Sequence, residues 1–231
     1  MIETLSKHWH YLTLAVAVAI SGVAHLTEQP AKRPTGWVGV DTHVGKTDGF
    51  QALQTVQNSA LMAIRNGGKL VVFPEAVGGD WDLNRLYWSG YEHAMARRGV
   101  TVLIGAEKRL DDRRRVNALF SVGAQPNMVL HSRVPVPLGM WNPWSKTRHF
   151  VSDWAGTGTI KIRDQRVLYL ICYEQLLMWP VLRGLWNKPT IIVGSSNAWW
   201  SKGTTIPGIQ NATLEAWGRL FKIPLVTAVN T

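Results

Sequence analysis

Short apolar runs recur along this chain, and segments of helical spacing lie between them, a pattern that restricts the fold to a few architectures. Residues 36–41, 70–73, 100–105, 190–193 and 225–229 read as strands. Residues 47–66 place Leu53, Val56, Ala60 and Ile64 on one helical face, and Gly67-Gly68 closes that helix, as glycine does at many helix ends. Residues 87–98 (ended by Gly99), 175–185 (in spite of Pro180) and 208–221 read as further helices. Residues 118–122 and 128–131 read as strands joined by a turn, and 159–162 with 167–171 as a hairpin around Arg163 to Arg166. Strands alternating with helices, plus hairpins, predict a mixed α/β sheet packed by helices.

Two of the runs end in reactive side chains. Val167 to Ile171 delivers Cys172, the single cysteine of the chain, and Leu70 to Phe73 delivers Glu75 just after Pro74. A lone thiol forms no internal disulfide, and at the end of a buried strand it is a candidate nucleophile. A carboxylate within reach can take the thiol proton, and partial burial raises its pKa toward that of a useful base. The bland alternatives are a salt-bridged Glu75 and an inert buried thiol. The two strand ends together predict one active site at the carboxyl edge of a sheet.

With 231 residues, 46% hydrophobic and 17% charged, the chain suits one sizeable folded domain plus a short appendage. The formal charge of +10 raises the question of nucleic acid. The basic clusters (Arg97-Arg98, Lys108-Arg109, Arg113 to Arg115) are scattered and carry no nucleic-acid-binding motif, so a solvated basic face, or attraction to anionic lipid, is the better reading. Tryptophan is abundant, with 12 residues. Trp141, Trp144, Trp199 and Trp200 fall in loop-like stretches, where they line an apolar substrate pocket, dip into a membrane interface or simply pack.

The amino-terminal residues 11–24 are free of charge and short for a span, since about 20 apolar residues cross a bilayer. A cleaved signal with Gly22 and Ala24 near its end, an uncleaved anchor, the last helix of a larger membrane region and a buried globular helix compete, and the anchor is favoured. Residues 27–35 then form a polar linker, which divides the chain into 1–35 and 36–231.

The segments Val71-Val-Phe-Pro-Glu75, Leu170-Ile-Cys-Tyr-Glu174, Ile191-Ile-Val-Gly-Ser-Ser-Asn-Ala-Trp-Trp200 and the stretch from Gln210 to Thr231 resemble, in this order, the nitrilase (carbon–nitrogen hydrolase) superfamily. The wording around Cys172 and Trp200 is similar to the apolipoprotein N-acyltransferase branch. The Pro135-Val-Pro-Leu-Gly-Met-Trp141 segment leans toward the TraB-type conjugal-transfer proteins. The resemblance implies a four-layer αββα sandwich, dimeric in soluble members. Family members continue past the strand that ends in Asn-Thr, so by this resemblance the chain lacks its final strands. It further implies a thiol enzyme with Cys172 as nucleophile and Glu75 as general base, acting on an acyl-bearing amide, ester or lipid-like substrate, with neither metal nor cofactor. A bacterial inner membrane, with the domain on its periplasmic side, is the expected location.

The family pattern Lys-Arg-His-Leu-Val-Pro-Phe-Gly-Glu aligns with Ser132 to Met140. The lysine that stabilises the oxyanion thus falls on Ser132 and a second glutamate on Met140. Arg133, beside the lysine position, is the replacement oxyanion stabiliser, against an ordinary surface arginine. Glu174 orients the loop or forms a surface salt bridge, and with Trp141, Trp199 and Trp200 is a candidate for the substrate pocket. Loss of both charged groups also admits a degenerate, inactive nitrilase-like part of a transfer apparatus.

Overall fold

The computed structural model describes residues 9, 11–20, 22, 31–46 and 49–231, and divides the chain after Ala31. In the amino-terminal unit residues 11–20 are helical, with Tyr11, Leu12, Leu14, Val16, Val18 and Ile20 exposed. Among the described residues no helix is long and apolar enough to cross a membrane, so the expected anchor is not supported there. Its flanks, Lys7, His10, Ala24, His25 and residues 27–30 of the linker, lie outside the described residues.

Residues 32–231 build two sheets. The first takes β1 (Trp37–Gly39), β2 (Leu70–Val72), β3 (Thr101–Arg109), β4 (Arg114–Gly123) and β5 (Val129–His131) in that order, with β6 (His149–Phe150) against the start of β4. β1, β2 and β3 run parallel, whereas β3, β4 and β5 are antiparallel. The second sheet is ordered β10-β9-β8-β7, from β7 (Thr159–Ile162), β8 (Gln165–Ile171), β9 (Ile191–Asn197) and β10 (Leu225–Asn230). Its first three strands in that order are parallel and β7 closes the predicted hairpin.

Period-two alternation sorts the strand side chains into layers. Leu70, Val72, Leu103 and Leu119 of one sheet meet Val167, Ile171, Ile191, Val193 and Val226 of the other in a dry core between them. Val71, Phe73, Val102, Ile104 and Phe120 point the other way, against α1 (Phe50–Arg65), α2 (Trp81–Asn84) and α3 (Leu86–Arg97). On the far side, Leu168, Leu170 and Ile192 pack on α4 (Met178–Leu185) and α5 (Ile206–Phe221). The layers are therefore helix, sheet, sheet, helix, the αββα sandwich that the resemblance implied.

The first and last strands join the two sheets. Thr42 N–H donates to the Val229 carbonyl at 2.9 Å, and Thr231 N–H returns to the Thr42 carbonyl at 3.0 Å. Asn230, wholly buried, accepts from Thr42 Oγ1 and Val44 N–H and donates to Gly45 O and Asn197 Oδ1. Every polar atom of that side chain is bonded, as burial requires.

The structure departs from the sequence expectation where strands leave the core. β3 and β4 run on to Arg109 and Arg114, because the end of this hairpin stands in solvent and its side chains are polar. The basic clusters there are paired: Arg114 with Asp111 at 2.6 Å, Arg115 and Arg148 with Glu107 at 3.7 and 2.7 Å, and Lys108 and Arg109 with Asp82 and Asp80 at 4.0 Å.

Candidate active site

β2 and β8 end side by side at the seam between the two sheets. The single sheet edge expected from sequence is in fact two edges, one from each sheet, and Glu75 and Cys172 face each other across the seam. Ser195 Oγ on β9 donates to the Phe73 carbonyl at 3.1 Å, fixing the end of β2 on the second sheet. Gly105 lets the β3 backbone press on the Pro74–Glu75 segment; an added Cβ would stand 2.1 Å from Pro74 O and 2.5 Å from Glu75 Cα. A side chain at position 105 would push Glu75 out of place.

Cys172 itself has φ +50°. β8 arrives extended at Ile171, turns through this left-handed residue and enters a 3-10 helix, Cys172–Leu176. A non-glycine residue held there costs about 1–3 kcal/mol and persists only where its surroundings over-determine it. Here the Gln210 amide donates to the Cys172 carbonyl at 2.7 Å, and Glu174, two residues on, clamps the turn. The result is a sharp elbow that lifts the thiol off the strand, the geometry in which nucleophiles are presented.

The thiol lies against the Glu75 carboxyl, near enough for each group to shift the other's titration. Asn117 Nδ2 donates to Glu75 Oε1, and Asn197 N–H donates to Glu75 Oε2 at 3.2 Å. Burial pushes the Glu75 carboxyl up to about 7, against the opposing hydrogen bonds from Cys172, Asn117 and Asn197, with a smaller upward push from the charge of Glu107. The Cys172 thiol is raised well above the ordinary range, first by burial and then by the neighbouring Glu75 charge. Neither group therefore ionises cheaply.

A pH dependence follows. A general base must be ionised, so acylation of Cys172 is expected to rise with pH through a midpoint near 7 and to show no thiolate limb at lower pH. Folding stability runs the other way. Because the folded Glu75 pKa lies above the unfolded value, the unfolded chain releases this proton first, and stability declines as pH climbs from about 4.5 toward 7. Rate–pH and unfolding–pH curves on the parent and Glu75→Gln chains check both, since the variant should lose the rate slope and show a shallower stability slope, Glu174 and Glu107 still contributing to the latter.

The structure corrects the reading of Arg133 as oxyanion stabiliser. Its side chain is buried, with Nη1 on the Pro180 carbonyl at 3.2 Å, Nη2 on the Tyr169 carbonyl at 3.3 Å and on Glu174 Oε2 at 3.5 Å. It is neither a surface arginine nor turned to the thiol, because Gly156 and Gly158 leave room for it beside β8 instead. Glu174 is likewise no surface salt bridge. It is fully buried and accepts from the N–H groups of Ile171 (2.9 Å), Val134 (3.0 Å) and Arg133. Burial pushes its carboxyl up, and Arg133 with these N–H groups pulls it back. The pair sews the segment after β5 to the Cys172 elbow.

Ser132, at the lysine position, is buried and donates its N–H to the Asn117 carbonyl at 2.7 Å, next to the residue that holds Glu75. Trp199 and exposed Trp200 follow β9 at the same end of the sandwich as Asn197, and the Trp200 indole donates to the Asn197 carbonyl at 3.0 Å. Trp141 belongs to another group, meeting Trp144 and Trp154 edge-on with ring centres 5.7 and 5.8 Å away. Asn117, Asn197 and Gln210 were not anticipated from sequence. The one available signal was a polar residue inside or at the end of each apolar periodic stretch.

The αββα sandwich is the fold found in amidases of the nitrilase superfamily. An amidase of that superfamily from Nesterenkonia AN1 superposes with a TM-score of 0.65 at 14% identity, over 87% of this chain and 78% of that one. A glutamine-dependent NAD+ synthetase from Acinetobacter baumannii superposes with a TM-score of 0.60 at 13% identity, over 84% of this chain and 38% of its own. In sequence the chain is similar to the conjugal transfer protein TraB of Agrobacterium fabrum, 32% identical over 98% of this chain and 55% of the relative. The probable conjugal transfer protein TraB of Sinorhizobium fredii is 34% identical over 94% of this chain and 58% of the relative. The chain spans little more than half the length of these curated relatives. No family model matches the chain.

Proposed function

We propose that this chain is a membrane-associated thiol enzyme of amidase or N-acyltransferase type, working in conjugal transfer from the periplasmic side of the inner membrane. The juxtaposition of Cys172, at a strained elbow, with the buried Glu75 carboxyl carries the reading. Sγ attacks the carbonyl carbon of an amide or ester while its proton passes to Glu75. The C–S bond forms, the C–N or C–O bond breaks, and Glu75 returns the proton to the departing amine or alcohol. An amine or water, deprotonated by Glu75, then takes the acyl group from the thioester. With Ser132 at the lysine position, the oxyanion falls to backbone donors. The N–H of Tyr173, in the first turn of the 3-10 helix, has no carbonyl within that helix to bond. Trp199 and Trp200, which follow Asn197 at the end of β9, border the substrate side of the couple, whereas Trp141 lies in a separate aromatic group and Glu174 is buried in the elbow.

Support comes from two comparisons. In the Nesterenkonia amidase, which shares this fold, a glutamate-to-glutamine mutant shows covalent addition of the acetamide moiety of fluoroacetamide at the active-site cysteine. The relatives in sequence are named for conjugal transfer. The test is intact-mass spectrometry after exposure to short-chain and long-chain 4-nitrophenyl esters. The expected result is one acyl adduct on Cys172, cleaved by hydroxylamine and absent from Cys172→Ala. A chain that stays unmodified by every ester overturns the assignment.

A second reading has its own observation. With Ser132 in place of the lysine and Arg133 committed to Glu174, the site carries no cation from this segment, as a catalytically silent scaffold would not need one. Unimpaired plasmid transfer by a Cys172→Ala strain would favour that reading.

A further inference from the structure

Helix α4 has apolar residues on both faces. Pro180, Val181 and Gly184 face inward, toward Leu168 of β8. On the outer side Met178 is 66% exposed, Trp179 57%, Leu182 48% and Trp186 88%. A helix that hides only one of two apolar faces has a second partner.

This face does not end with the helix. The Trp179 indole donates to the Trp154 carbonyl at 3.3 Å, and Arg183 Nε donates to the Ala155 carbonyl at 2.7 Å while its guanidinium lies over the Trp179 ring at 5.7 Å. Trp154 leads through Trp141 to Trp144, which is 78% exposed. The helix and the loop thus form one braced aromatic surface.

Its charge selects the partner. Residues 176–190 contain Arg183 and Lys188 and no acidic residue. The loop adds Lys146 against the single acid Asp153, while Arg148 is paired with Glu107. Indole rings with a polar edge, beside basic side chains, match the headgroup layer of an anionic bilayer, where tryptophan is enriched and each nearby cation adds attraction. A second copy of the chain fits less well, because a two-fold contact would bring together two copies of the same positively charged patch.

We infer that the outer face of α4, continued by Trp154 and Trp144, is a docking surface for an anionic lipid bilayer. This deepens the membrane part of the function proposed above and is independent of the acyl chemistry. Docking there would hold the Cys172 elbow, one 3-10 turn before α4, close to the headgroups.

The test uses the full chain in a Cys172→Ala background, with a polarity-sensitive fluorophore on Trp186→Cys, and in parallel on Met62→Cys, an exposed position of α1. With vesicles of phosphatidylglycerol and phosphatidylcholine, the probe at 186 should shift to the blue and the probe at 62 should not. Arg183→Gln and Lys188→Gln should each weaken vesicle binding roughly fivefold. Three results overturn the inference: no vesicle binding, binding in which the probe at 186 stays in water (attachment through the amino-terminal segment alone), and a shift without lipid that grows with protein concentration, the mark of a second copy. Acylation of the parent chain by a soluble ester is measured separately, so either reading can fail alone.

Discussion

Glu75→Gln is expected to slow formation of the Cys172 acyl adduct by about 10²–10⁴-fold, the usual range for loss of a general base. The substitution keeps the shape of the side chain and still offers an oxygen to Asn117, so the αββα packing should survive. What it removes is the acceptor for the thiol proton. With the thiol raised well above its ordinary range by burial, little thiolate exists at neutral pH, and among the described residues Glu75 is the carboxylate that acts on it. The measurement is the single-turnover rate of adduct formation by mass spectrometry at fixed ester concentration. A rate within a factor of three of the parent would show that the proton leaves by another route, and the couple would lose its assigned role.

Glu174→Ala should give the largest loss of stability of any single change near the site. It strands the buried Arg133 guanidinium and removes the acceptor for the N–H groups of Ile171, Arg133 and Val134. Breaking a buried pair from one side costs about 3–5 kcal/mol, since the remaining charge is left in a poor solvent. For a unit of this size that is a fall in Tm of roughly 10 °C. Thermal unfolding followed by circular dichroism reads it directly. A drop of only a degree or two would mean that water reaches Arg133, and that Glu174 does not hold the elbow.

The layers of the fold were legible because each core strand carries an unbroken apolar run, as at Val71 to Phe73 and Leu168 to Ile171. The meeting of Cys172 and Glu75 was legible because each follows such a run. The short helix Trp81–Asn84 and the strand His149–Phe150 were not, being too short to show a period. The extension of β3 and β4 to the arginines was hidden because solvent removes the apolar signal from a strand. Arg133 was misread for a different reason. Its partner Glu174 lies 41 residues away, and only the folded chain reveals that the two meet where neither touches water. The support of Glu75 by Asn117 and Asn197 is similarly long-range, since strands of different sheets supply it.

Because Glu75 hangs from one sheet and Cys172 from the other, the span their proton must cross depends on how the two layers are aligned. Lateral slip of a few tenths of an ångström between them would stretch or compress that span without disturbing either strand. The Ser195 link to Phe73 and the Asn230 junction act as dowels that set this alignment. Turnover by such a chain would therefore register interlayer shear well before any probe of secondary structure detects a change.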